Sequence, residues 1–214
     1  MKNTELNDSP KADGGVAQRL SALPTANIGD AMDRLGLADS AIKPVWTGAK
    51  LAGPAFTVWT RAGDNQGIHE ALAQANPGDV IVVNGGADVS RALLGDLIGE
   101  RAISAGIAGF AVDGAVRDAL ALQEIGMAVF ARAISPAGPY KNGPYRINCP
   151  IAFGGVPVLP GDIIVGDADG LAIIPRGRAR EVAEAAEAVF ADEEGRRRRI
   201  VAERAERTQA ESAS

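Results

Sequence analysis

The chain has 214 residues, 46% hydrophobic and 23% charged, enough for one domain with a sizeable core. Its formal charge of -5 sits in the body: from residue 176 onward nine basic residues balance nine acidic ones, leaving thirteen against eighteen before it. That argues against a nucleic-acid surface, and one cysteine (Cys149) with one histidine (His69) excludes an internal disulfide and a Cys/His zinc cluster. No apolar run is long enough to span a bilayer, and no charged-then-apolar leader opens the sequence, so cytoplasm is the expected compartment.

Residues 1–14 are polar, with a Gly pair, and read as a loose tail. Residues 16–23 read as a short helix ended by Pro24. Thr25 or Asn27 then caps a second helix through Leu35, with Ile28, Met32 and Leu35 on one face and Gly36 closing it. Asp30 and Asp33 read as exposed helix charges. Residues 41–59 read as loop and strand, with Gly53-Pro54 breaking it before the β run Phe56-Thr57-Val58-Trp59. Gly63-Asp64-Asn65 is a turn into a helix over 66–74. His69, between Ile68 and Leu72, reads first as a packed helix histidine and second as a base. Val80-Ile81-Val82-Val83 is a continuous β-branched core strand, and the glycine loop Asn84-Gly85-Gly86 after it brings backbone close to a pocket.

The informative stretch is 92–118. Ala92-Leu93-Leu94 steps into Gly95-Asp96, which opens a helix over 97–105 closed by Gly106. Residues 107–112 are a buried strand, Asp113-Gly114 a turn pair, and Arg117-Asp118 opens a helix over 119–124 stopped by Gly126. A helix N-terminus at Asp96, Leu97 and Ile98 offers unpaired N–H groups and a positive dipole end. Arg117 offers a planar fork for a carboxylate, and Asp118 with Asp96 suits a hard divalent cation that keeps its waters. Together they fit a 2-oxo acid. The same residues also read as an Arg-Asp pair capping a helix and an Asp at a turn; physics alone leaves both open.

Residues 127–131 read as a strand and 135–148 as a Pro/Gly/Tyr-rich loop, on which Lys141 and Arg146 either reach a second carboxylate or are solvated. Short strands follow at 151–153, 156–159, 163–165 and 171–174, with Asp162, Asp167 and Asp169 explained as turn residues. From residue 177 the chain reads as a long polar helix with Val182, Ala186, Val189 and Phe190 on one face. Gly195 and the arginines at 196–199 interrupt that face. Flanking Asp192, Glu193, Glu194, Glu203 and Glu206 make it a solvated, salt-bridged helix rather than an RNA surface.

Asp96 followed after twenty residues by Arg117-Asp118 resembles the Asp-x20-Arg-Asp signature of the RraA-like family, which includes 4-hydroxy-4-methyl-2-oxoglutarate/4-carboxy-4-hydroxy-2-oxoadipate aldolases and a regulator of ribonuclease E. Segments 25–30, 63–69, 77–80, 154–156, 160–162 and 167–170 are similar as well, so the resemblance covers roughly residues 20–200. It departs at Ala92, where the family pattern often carries glycine. The resemblance implies an α/β swivelling β/β/α three-layer sandwich over 15–176 with a C-terminal helical extension over 177–214. It implies homotrimers or homohexamers with sites between subunits and a small 2-oxo acid substrate; the charge balance and the lack of a long apolar run point to no nucleic-acid or membrane partner. It further implies a class II aldolase with oxaloacetate decarboxylase activity. Mg²⁺ or Mn²⁺ would sit on Asp118, with Asp96 acting through water. Gly95, Asp96, Leu97, Ile98 and Arg117 would bind substrate, and Glu193 or Glu194 would reach a neighbouring subunit's metal waters. A Schiff-base route is disfavoured because Lys43, Lys50 and Lys141 all lie outside the motif stretch. The competing expectation is a non-enzymatic regulator of ribonuclease activity acting by protein–protein binding.

Overall fold

The computed structural model describes residues 14–212. The expected tail at 1–14 lies outside them, apart from Gly14, which already begins the first helix. In chain order the elements are α1 (Gly14–Ser21), α2 (Thr25–Ala31), β1 (Lys43–Pro44), β2 (Leu51–Thr60), α3 (Gln66–Leu72), β3 (Val80–Asn84), α4 (Asp96–Ser104), β4 (Gly109–Val116) and α5 (Ala119–Glu124). Then come β5 (Val129–Ile134), β6 (Tyr145–Ile147), β7 (Ile151–Phe153), β8 (Val156–Val158), β9 (Ile163–Asp167), β10 (Gly170–Ile174), a single 3-10 turn at Arg176–Arg178, and α6 (Ala179–Ser212).

The main sheet runs β1-β5-β4-β3-β2-β9-β10, with β6 paired to the end of β2 and β7–β8 forming a separate hairpin. Strands β2 to β5 are parallel, whereas β9 and β10 run antiparallel. Val80, Ile81, Val82 and Val83 are fully buried because β3 is central and covered on both faces. One face packs Val58, Ile81, Phe110 and Val112 against Ile68, Ile98 and Leu122 of α3, α4 and α5. The other packs Val80, Val82 and Phe130 against Phe153, Val158 and Ile164 of the hairpin and β9. A third cluster lays Leu20 of α1, Ile28 of α2, Met32 just after it, and Val182 and Ala186 of α6 on Ile163, Val165 and Ile174.

Five expectations are corrected. Gly53-Pro54 does not break a strand: β2 continues through it, and Pro54 marks where the strand changes partner. Leu51 to Pro54 pair with β9, and Ala55 to Trp59 pair with β3. A proline lacks a ladder N–H, and a change of partner is a place where that loss is tolerated. Asp113-Gly114 is not a turn but lies inside β4, at a shift in the β4–β5 register. The second helix stops at Ala31, because Asp33 and Arg34 turn left-handed; Leu35 is exposed instead of sharing the core face. Nor does Thr25 or Asn27 cap that helix. The Thr25 amide and hydroxyl both donate to the Asp167 carboxylate, and Asn27 donates to Glu193. The loop expected over 135–148 also holds the short strand β6, and the C-terminal helix runs unbroken through Gly195.

Candidate active site

Strand β4 ends at Val116 and hands Arg117 and Asp118 to the mouth of α5. Beside it runs the segment that leads into α4: Leu93 N–H donates to Ala115 O (2.8 Å), and Arg117 N–H donates to Leu94 O (3.0 Å). Ala92, the departure from the glycine pattern, is buried and bridges Ala115. Gly95 is extended, and α4 starts at Asp96. The start of α4 and the end of β4 are therefore stitched together, which brings Asp96, Leu97 and Ile98 against Arg117.

Asp118 adopts a left-handed conformation (φ 58°) before α5. Its Oδ2 accepts from Arg117 Nε at 3.2 Å and from Asp96 N–H at 3.4 Å. Asp96 folds back so that Oδ1 accepts its neighbour's Leu97 N–H at 2.7 Å. An anion at this helix end thus meets one amide already engaged by the Asp96 side chain, and binding there exchanges one acceptor for another.

Gly95 to Ile98 and Arg117 line a cavity of about 180 Å³, closed on its other sides by Asn65, His69, Arg101, Pro139 and Lys141. Four potentially cationic side chains face one carboxylate, Asp96, so the cavity is a locally positive site on an acidic protein. Burial, and then the charges of Lys141 and Arg101, hold the His69 imidazole below its ordinary pKa. Asn65 is buried, and its Oδ1 has no hydrogen-bond partner among the described residues. A buried acceptor without a donor is costly, so it marks a place for a ligand or water.

The wall carrying Lys141 has its own anchor. Asp64 is fully buried, and its carboxylate accepts from Gln66 N–H, Asn142 N–H and Gly143 N–H at 2.9 Å each, and from Arg61 at 3.3 Å. Tyr140, beside Lys141, lies under Arg91 at 4.3 Å and Arg61 at 5.2 Å. Local sequence shows Asp64 only as a turn residue; its role as a knot between the 61–66 turn and the 142–143 loop is a product of the fold.

Other candidates lie elsewhere. Asn84, Gly85 and Gly86 do not line the cavity, contrary to expectation; a side chain at Gly85 would run into Leu93 and the Asp113 carbonyl. Arg146 stacks on Trp59 at 5.7 Å, outside the cavity. Asp30 pairs with Arg34, and Asp162 accepts from Leu159 N–H and Arg176 N–H. Within one chain Glu193 accepts from Asn27 at 2.9 Å and Glu194 pairs with Arg197 at 3.0 Å, both on α6. A larger groove of about 1770 Å³, between α1, the start of β2 and the turn at 167–169, holds none of the predicted site residues. Size does not make it the site, because Asp167 there is already engaged by Thr25 and Asp169.

Among the described residues no group of three or more His, Cys, Asp or Glu side chains gathers to hold a metal. Asp96 and Asp118 are a pair of hard oxygen donors. They suit a cation such as Mg²⁺ that keeps several waters, and they do not suit a cage made wholly of protein ligands. No helix among the described residues is long and apolar enough to cross a membrane.

This topology defines an α/β protein with a small cationic cavity at a helix N-terminus beside two carboxylates. The family model described as "RraA-like: Aldolase/RraA" matches residues 25–174, and the chain belongs to the RraA-like family. It is 44% identical over 178 residues, covering 83% of this chain and 85% of the relative, to a Halalkalibacterium halodurans protein named "Putative 4-hydroxy-4-methyl-2-oxoglutarate aldolase". A Shewanella oneidensis protein of the same name is 41% identical over 110 residues, covering 51% of this chain and 67% of its own. The fold matches the solved Streptomyces coelicolor RraAS2, described as an unusual member of the RNase ES inhibitor RraA family. The TM-score is 0.78 at 29% identity, over 87% of this chain and 98% of that one. The expected α/β sandwich with a C-terminal helix is thus the observed architecture.

Proposed function

We propose that this chain is a divalent-metal-dependent carbon–carbon lyase. It would cleave a 4-hydroxy-2-oxo acid such as 4-hydroxy-4-methyl-2-oxoglutarate to pyruvate and decarboxylate oxaloacetate through the same pyruvate enolate. The observation that carries this reading is the meeting of the Arg117 fork and the N-terminus of α4 at one small cationic cavity, with the Asp118 carboxylate held against both from behind the lining. The names of the relatives from H. halodurans and S. oneidensis support it.

Arg117 holds the carboxylate and 2-oxo oxygens of the substrate through its planar fork, with the first turn of α4 adding its dipole. The positive charge there stabilises the enolate that forms as the carbon–carbon bond breaks. The far end of the substrate carries a second carboxylate, which His69, Arg101 and Lys141 meet across the cavity. Asp118, with Asp96 acting through water, would hold Mg²⁺ or Mn²⁺, which when bound supplies a Lewis acid beside the 2-oxo group. The assembly that goes with this reading is a homotrimer or homohexamer in which Glu193 approaches a neighbour's site. Leu97, which lines the cavity, and Leu120 on α5 are exposed by 72% and 76%, apolar surface of the kind a second copy covers.

The test is pyruvate release, coupled to lactate dehydrogenase, from 4-hydroxy-4-methyl-2-oxoglutarate and from oxaloacetate, with Mg²⁺ and with EDTA. Metal-dependent pyruvate from either substrate is expected. Folded protein that yields none from either overturns the lyase reading and leaves capture of a ribonuclease as the experiment for the regulator alternative.

A further inference from the structure

The irregularity in β4 carries an inference beyond the cavity itself. In the β4–β5 ladder Val112 stands opposite Ala131 and Ala115 opposite Ala133. Asp113 and Gly114 together therefore face Arg132 alone, which is a β-bulge with one extra residue on β4. A plain ladder would set Gly114 against Ala133 and carry Arg117 one position further, with its side chain turned to the other face.

Every acceptor on Asp113 is engaged at this point. Oδ1 accepts from Arg132 Nε and Oδ2 from Gly154 N–H at 3.0 Å, while the main-chain oxygen accepts from Gly85 and Ala87 N–H at 3.1 Å each. Arg132 extends a second arm to Asp39 Oδ2 at 2.8 Å. Asp113 is 8% exposed, so the pair is largely out of water. A buried ion pair is a weak source of stability relative to apolar packing, and its best-attested use is to specify register. Here it spans the one shifted position in the ladder.

Two residues beyond the bulge the site begins. Ala115 N–H donates to Asp88 O, Leu93 N–H to Ala115 O and Arg117 N–H to Leu94 O, so the end of β4 sets where the segment entering α4 lies. There is no slack between them: a β-carbon on Gly95 would collide with the Asp118 carboxylate.

We propose that Asp113 is a positioning residue, whose ion pair with Arg132 locks the bulge that aims Arg117 and Asp118 at the N-terminus of α4. Its effect on turnover rests on the lyase reading; its effect on the backbone does not. The test compares wild type with Asp113→Asn and Asp39→Asn in the full chain, by amide hydrogen exchange and by pyruvate release. In Asp113→Asn, exchange over 115–118 rises at least tenfold while that over β3 and β9 holds, and kcat/KM falls on the order of 100-fold, as for a displacement near 1 Å. Asp39→Asn, which removes only the outer arm of Arg132, leaves both measurements near wild type. If Asp113→Asn does not fold, Arg132→Lys is read by the same two criteria. Unchanged exchange at 115–118, or an equal rise across β3 and β9, overturns the proposal. Changed exchange with no pyruvate from wild type overturns the lyase reading alone.

Discussion

Gly95→Ala separates the chemistry of the cavity from the stability of the fold. Gly95 has φ -149° and ψ -161°, an extended conformation that any residue adopts, so alanine brings no backbone strain. Its β-carbon, however, points into the Asp118 carboxylate and stands 3.0 Å from Arg117 Cγ and 3.1 Å from Arg117 Nε. Restoring ordinary contact requires Asp118 to withdraw by about 1 Å, and a misplacement of that size costs on the order of 100-fold in rate. The withdrawal also breaks the contacts of Asp118 with Asp96 N–H and Arg117 Nε. Stability moves little. Losing glycine at the helix cap costs about 0.5–1 kcal/mol, and reduced freedom of the unfolded chain returns about 0.4–1 kcal/mol. Urea unfolding beside steady-state pyruvate formation measures both. A variant within a few-fold of wild-type kcat/KM would refute the reasoning, as would one whose activity falls only in step with its unfolding midpoint.

Asp118→Asn is expected to abolish turnover and its metal dependence, whereas Arg117→Ala keeps metal binding and loses affinity for the 2-oxo acid. Calorimetric titration with Mn²⁺ and then pyruvate reads the two apart, and equal loss of both ligands in Arg117→Ala counts against its assigned role. Asp64→Ala strands three N–H donors at Gln66, Asn142 and Gly143. At about 1–3 kcal/mol per buried unmet donor, the loss is several kcal/mol by urea unfolding; a change below about 1 kcal/mol contradicts the knot. His69 has its folded pKa depressed, so the unfolded chain takes the proton more readily. Its contribution to stability is complete above the unfolded value near ~6.5 and is lost as pH falls below it. Urea midpoints of His69→Gln should therefore decline less between neutral and mildly acidic pH; an identical decline in both proteins counts against this.

What was legible in the sequence was what is written locally. Gly95-Asp96, the apolar run after it and Gly106 mark α4 within a few residues, and the β-branched run at 80–83 can only be a covered strand. The pairing of Asp96 with Arg117-Asp118 was legible because a short helix and a short strand leave the chain little choice about where it returns. Pro54 misled because a missing N–H signals a break unless the partner strands are known. Asp113-Gly114 misled because turns and bulges share a composition, and only the register of β5 distinguishes them. Lys141 reaches the cavity that His69 of α3 lines through a loop tied down by Asp64, and nothing within a few residues of either records that convergence. Arg101 and Asn65 were missed for the same reason.

The change of partner at Pro54 also bears on the order in which the chain folds. Ala55 onward pairs with β3; β4, beside β3, and β5, beside β4, follow closely in sequence, and the cavity is lined wholly by residues between 65 and 141. Leu51, by contrast, must wait for Gly166, at the far end of a long loop closure. The cavity thus belongs to the early, local part of the topology, while the β9–β10 half with α1, α2 and α6 closes over the remaining face later. Pulse-labelled amides in β3 and β4 gaining protection before those in β9 would mark that sequence of events, and the reverse order would contradict it.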